Sequence, residues 1–109
     1  MTPPATTEPA RSVDRTLSIL ANGPRREILR ALASGRTVGR SELGRIRDRL
    51  GASETTFEVS LYHVHLPMLA AAEVVTSDSD PFRIQPGPRF ESVAPLVEAV
   101  SAFELRDDD

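Results

Sequence analysis

The stretch Ser53–Val75, SETTFEVSLYHVHLPMLAAAEVV, decides how this chain is read. Phe57, Leu61, Val64, Met68 and Ala72 recur at spacings of three and four, the period of one helix face. Tyr62, Leu66 and Leu69 widen that stripe, so the sequence predicts a well-buried helix. Ser53 is placed to cap it, its hydroxyl accepting from an amide of the first turn. Pro67 removes one backbone bond and crowds the carbonyl of His63, which predicts a kink or a division into two segments. After Ala72 the β-branched run Val74-Val75-Thr76 favours extended chain. Glu73 stands where a helix end favours glycine, so either it is left-handed or the helix ends differently.

Immediately before this stretch, Gly39 is the N-cap of another helix, with Val38 and Leu43 at hydrophobic-staple positions and Glu42 placed to reach back to the cap amide. Leu43, Ile46 and Leu50 mark its inner face, and Gly51 suits the left-handed stop. The link from Gly51 to Ser53 is short, so the two helices are neighbours in space, a helix-turn-helix. Further back, Asn22-Gly23-Pro24 starts a helix that turns Ile28, Leu29 and Leu32 inward and ends at Ser34-Gly35. Ser12 is the cap of a first helix with a Val13, Leu17, Leu20 stripe, and residues 1–11 read as a disordered tail.

Downstream, residues 74–77 and 82–85 read as two strands joined by the turn Asp78-Ser79-Asp80-Pro81. Gln85-Pro86-Gly87-Pro88 breaks the chain again. Ser92 then caps a last helix with a Leu96, Val97, Val100, Phe103 stripe, and residues 106–109 form an acidic tail. The fold class is mainly α with a small β-hairpin. It is a winged helix-turn-helix with an additional C-terminal helix, one domain over residues 12–105.

Composition narrows the functions. The chain has 109 residues and no cysteine, which excludes a disulfide framework, a thiol nucleophile and a cysteine-bound zinc. No apolar run approaches the length of a membrane span, and the start lacks the basic and apolar regions of a signal peptide, so a cytoplasmic location is expected. All 13 basic residues are arginine. The net charge of −3 hides an asymmetry: Arg25 to Arg49 holds eight arginines against Glu27, Glu42 and Asp48, a net of +5, leaving −8 elsewhere. From Leu50 to Phe82 the only basic side chains are two histidines.

Several segments resemble a family of small winged-helix proteins common in haloarchaea, many recorded only as a domain of unknown function. They are Leu20-Ala21-Asn22-Gly23-Pro24-Arg25-Arg26 with Ile28-Leu29, and above all Val59-Ser60-Leu61-Tyr62-His63-Val64-His65-Leu66-Pro67. Leu69, Ala72 and Val74-Val75 extend the likeness, which covers roughly Val13 to Gln85. The resemblance implies a winged helix-turn-helix fold and a role in transcription. The chain departs from the pattern at Glu54, Thr55, Thr56 and Met68, where relatives often carry basic residues, and at Glu73, where they carry glycine.

On this reading the expected partner is double-stranded DNA. Arg25, Arg26, Arg36, Arg40, Arg45 and Arg47 are the candidate phosphate contacts. Thr55, Thr56, Ser60 and His63 are the candidates for base edges. Glu54, Glu58, Asp78 and Asp80 oppose that docking, and the bland reading pairs the arginines with Glu27, Glu42 and Asp48 on a solvated face. The alternative is a protein-interaction or dimerisation module without direct DNA binding. Leu96, Val97, Val100 and Phe103 are the candidates for a homodimer contact, or pack onto their own core. No enzymatic activity, metal or cofactor is expected. His63 and His65, two apart on a helix, point away from each other and cannot chelate one ion. His63 is expected to be exposed and His65 to sit in or beside the core, bonded to a backbone carbonyl.

Overall fold

A computed structural model describes residues 13–107. A first helix, α1 (residues 13–20), leads into α2 (Gly23–Ala33), α3 (Arg40–Leu50) and α4 (Glu54–Ser60). A π-helical turn at Leu61–His65 joins α4 to α5 (Leu66–Ala71). The hairpin strands β1 (Val75–Ser79) and β2 (Phe82–Pro86) and the long helix α6 (Phe90–Asp107) complete the chain. The molecule is thus mainly helical, with a small antiparallel hairpin and a C-terminal helix in a winged-helix arrangement. The Ser12 cap and the 1–11 tail lie outside the described residues, as do residues 108 and 109.

The centre is α2, which packs against α3, α6 and the π turn. Its Ile28, Leu29 and Ala31 are fully buried, and Leu32 nearly so. The start follows the sequence: Asn22 is extended and Pro24 occupies the first turn, where its missing N–H costs nothing. Gly51 ends α3 in the left-handed region, its N–H on carbonyls of the last turn. Val38 and Leu43 are both buried, as a staple requires. Glu42 does not reach back to the cap: its Oε1 accepts from Arg45, and its Oε2 faces Arg36. Leu50 is half turned out to solvent rather than inward.

The helix that decides the reading is buried along Phe57, Leu61, His65 and Leu69, each four residues apart. Four residues overshoot an α-helical turn by about 40°, so three such steps would carry the stripe about a third of the way round. The wide turn, closed by the Leu66 N–H on the Leu61 carbonyl, takes up that excess and keeps all four side chains inward. It also sits just ahead of Pro67, so the chain passes the proline without leaving the helical path. In consequence Val64 and Tyr62, expected in the core, are exposed. Ser53 caps α4 as expected, its Oγ accepting from the Thr56 N–H at 3.2 Å.

Glu73 adopts the left-handed conformation at φ 63°, and the Val74 N–H reaches back to the Leu69 carbonyl at 3.0 Å. Gly87 passes directly over this turn: a Cβ there would meet the Glu73 carbonyl at 2.6 Å, so no other residue fits. The hairpin is longer than the sequence suggests, pairing Val75 with Pro86 through Ser79 with Phe82 and leaving Asp80-Pro81 as the turn. A third piece of extended chain joins it. Val38, before α3, exchanges both backbone hydrogen bonds with Ile84, at 3.1 and 2.8 Å. This bridge ties the wing to the helix-turn-helix.

Two apolar stripes fall differently from the sequence pattern. On α1, Val13 and Leu17 face outward at 56% and 51% exposure, while Ile19 and Leu20 are buried. The last helix starts at Phe90, before Ser92, which lies in its first turn. Its inward side is Phe90, Val93 and Val97.

Candidate nucleic-acid interface

The basic run divides by helix. On α2 the arginines turn to structural partners. Arg25 is only 7% exposed, so it is not a phosphate contact. Its guanidinium donates to the carbonyls of Ile19 at 2.8 Å and Ser18 at 3.1 Å, closing the end of α1. Its Nη1 donates to His65 Nδ1 at 2.9 Å. Because a guanidinium only donates, His65 is held neutral with its proton on Nε2. Burial, and then the Arg25 charge, lower the His65 pKa from its ordinary value. The sequence placed His65 correctly in the core but with a carbonyl as partner; the partner is Arg25. Arg26 donates to the Leu20 carbonyl at 2.8 Å and pairs with Glu104 of α6 at 3.2 Å. Arg30 bonds Glu27, Ser101 and Glu104, pinning α6 to α2.

On α3 the arginines stay at the surface. Arg45 is 68% exposed and pairs with Glu42 at 3.0 Å; Arg36, before α3, meets the same carboxylate at 3.4 Å. Arg47 pairs with Asp48 at 3.3 Å and reaches Glu54 at 4.0 Å. Arg49 pairs with Glu27 of α2 at 3.3 Å. Arg40 differs: it has no acidic partner among the described residues, and its guanidinium lies 5.4 Å from the Phe82 ring centre. Phe82 meets Tyr62 edge to face at 5.8 Å. One cation and two rings therefore join the start of α3, the turn end of the wing and the π turn.

The base-edge candidates separate. Thr55, Thr56 and His63 are exposed, whereas Ser60 is half-buried. Thr56, Ser60 and Val64 line a shallow cleft beside Asn22 and Pro24 at the start of α2. Thr55 lies on the other ridge, three to seven residues before Glu58, Val59 and Tyr62. The wing carries Asp78 against Arg83 at 4.0 Å, with Asp80 exposed in its turn. Sequence reasoning missed Tyr62 and Val59 as surface residues and Arg83 as a wing cation. Tyr62 followed the apolar count of a straight helix, and only the wide turn takes it out of that count.

Among the four dimer candidates, Val97 is buried in its own core, with Leu96 and Val100 partly buried against it. Phe103 is 66% exposed.

Residues 17–85 match the family described as Domain of unknown function (DUF7344). The chain belongs to the DUF7344 family. That segment holds the helix-turn-helix, the π turn and the hairpin, and it stops short of α6. No curated protein and no solved structure matches the chain. Among the described residues, no helix of this DUF7344 protein is long and apolar enough to cross a membrane.

Proposed function

We propose that this DUF7344 protein is a DNA-binding regulator of transcription, lying along the major groove with α4 and gripping phosphates through Arg36, Arg40, Arg45 and Arg47. The observation that carries the reading is Arg40. It is an exposed cation without an acidic partner among the described residues, held on Phe82 where helix pair and wing meet. The pairs at Arg36, Arg45 and Arg47 are no obstacle. The Arg47–Asp48 pair is exposed and contributes about 0–1 kcal/mol, so a phosphate can replace its carboxylate. Arg36 and Arg45 share the buried carboxylate of Glu42 and keep it, offering a phosphate their remaining exposed N–H groups. Thr55 and His63 are the residues expected to meet base edges. Phe103 is the residue expected to seat a second copy in a dimer, now that Val97 is spent on the core.

The test is fluorescence anisotropy of a random-sequence duplex across a salt series. Micromolar binding whose logarithm falls with log salt is expected, and Arg40→Ala should reduce that slope by about 0.9. Thr55→Ala should leave the slope alone and alter preference between sequences. No binding at the lowest salt at which the chain stays folded would sink the proposal. A second reading then takes its place, a protein-docking module. Val59, Tyr62 and Val64 stand exposed among Glu54 and Glu58, an apolar surface with an acidic margin suited to a basic protein partner.

A further inference from the structure

The first half of α6 and the helix α1 leave an open hollow of about 630 Å³ between them. Leu17 of α1, Val74 ahead of β1, and Val93 and Leu96 of α6 form its apolar wall. Arg15 and Arg89, both exposed, also line it, with Thr16 and Ser92 among its polar residues. The volume falls within the range of about 300–1,000 Å³ typical of small-molecule sites. It is not an empty fault of packing, since the core beneath is closed: Val74 and Val93 are buried in it while their edges face the hollow.

The charges identify the occupant. The protein carries more acids than arginines, and its other exposed or half-exposed arginines mostly find a carboxylate: Arg26, Arg30, Arg36, Arg45, Arg47, Arg49 and Arg83 each do. Arg15 and Arg89 find none among the described residues, yet both border the same apolar hollow. The backbone at Arg89 is fixed, its main-chain N–H donating to the Glu73 carbonyl at 2.8 Å. Two unpaired guanidinium groups beside an apolar wall are complementary to a carboxylate joined to an apolar body, because the fork of an arginine matches a carboxylate and the wall accepts methylene or aromatic carbon. A phosphate backbone would leave the wall unused, and a neutral apolar molecule would leave the arginines unused. Arg89, Val93 and Leu96 lie beyond the segment that matches DUF7344, so the hollow is a feature this chain builds with its own last helix.

We infer that the hollow between α1 and α6 binds a small amphipathic carboxylate, with Arg15 and Arg89 on the carboxylate and Leu17, Val93 and Leu96 on the apolar body. The inference stands apart from the DNA reading.

The experiment titrates the full chain with decanoate below its micellar concentration, by calorimetry and by amide NMR shifts, with decanol as the neutral control. Saturable binding of one decanoate per chain is expected, with the largest shifts at Leu17, Val74, Val93 and Leu96. Decanol, and decanoate with the double variant Arg15→Ala/Arg89→Ala, should each bind about tenfold more weakly or worse. Leu96→Trp should fill the hollow and abolish binding, with circular dichroism confirming the fold. Equal affinity for decanol, indifference to the double variant, or shifts centred on Val59 and Tyr62 would overturn the assignment. So would absence of binding together with self-association that Leu96→Trp abolishes, which would give the hollow to a second copy.

Discussion

Helices α2 and α3 carry similar numbers of arginines, and the fold uses them in opposite ways. Those of α2 point at groups brought from elsewhere in the chain: the end of α1, His65 and Glu104. Those of α3 stay wet: Arg45 and Arg47 meet carboxylates of their own helix or the next, Arg49 meets Glu27 of α2, and Arg40 lies on the Phe82 ring. The charge count was the same kind of signal for both. What separates them is burial, because a desolvated guanidinium must be fully hydrogen-bonded while an exposed one loses little by pairing loosely.

Removing Arg25 tests the difference hardest. Arg25→Ala strands His65 Nδ1 and two carbonyls in the interior, and is expected to cost about 2–4 kcal/mol of stability in urea denaturation. A loss below about 0.5 kcal/mol, the scale of a surface change, would break the division between the helices. Arg30→Ala loosens α6 through Glu104 and Ser101 and should cost about 1 kcal/mol. The Arg25–His65 contact also has a pH signature. Burial and Arg25 depress the folded pKa of His65 below the ordinary 6.5, so the unfolded chain takes up the proton first. Stability is full above about 6.5 and declines as pH falls from there to the depressed folded value. In His65→Gln that part of the decline should vanish; thermal melts of both proteins between neutral and acid pH measure it. The smallest effect belongs to α3: Arg45→Ala should change stability by less than about 0.5 kcal/mol while lowering the salt slope of DNA binding. A large stability loss there would mean that α3 is used as α2 is.

Much of the local structure was legible. Ser53 as cap, Gly51 as left-handed stop and Pro24 in a first turn follow from short-range rules, since a cap or a stop is satisfied within one turn of chain. At Glu73 the sequence left two helix endings open, and the structure takes the left-handed one. The buried face of the deciding helix was half legible. Phe57, Leu61 and Leu69 were placed inside correctly, as was His65, but Val64 and Tyr62 turn out to solvent. A period of 3.6 assumes a straight helix, and the wide turn before Pro67 alters the phase. Among the candidate phosphate contacts, Arg36, Arg40, Arg45 and Arg47 remain on the surface, Arg26 is half-committed to α6, and Arg25 is withdrawn.

By itself, then, the sequence determined the element order, the helix boundaries around the turn, the hairpin and the winged-helix class, because these depend on periodicity, capping and breakers a few residues apart. Only the tertiary structure decided which arginines are free, where Val38 joins the wing, which side of α6 faces in, and that α1 and α6 stand apart over a hollow. Those outcomes depend on groups far apart in the chain, such as Arg25 with His65 and Arg30 with Glu104, whose meeting no local pattern encodes.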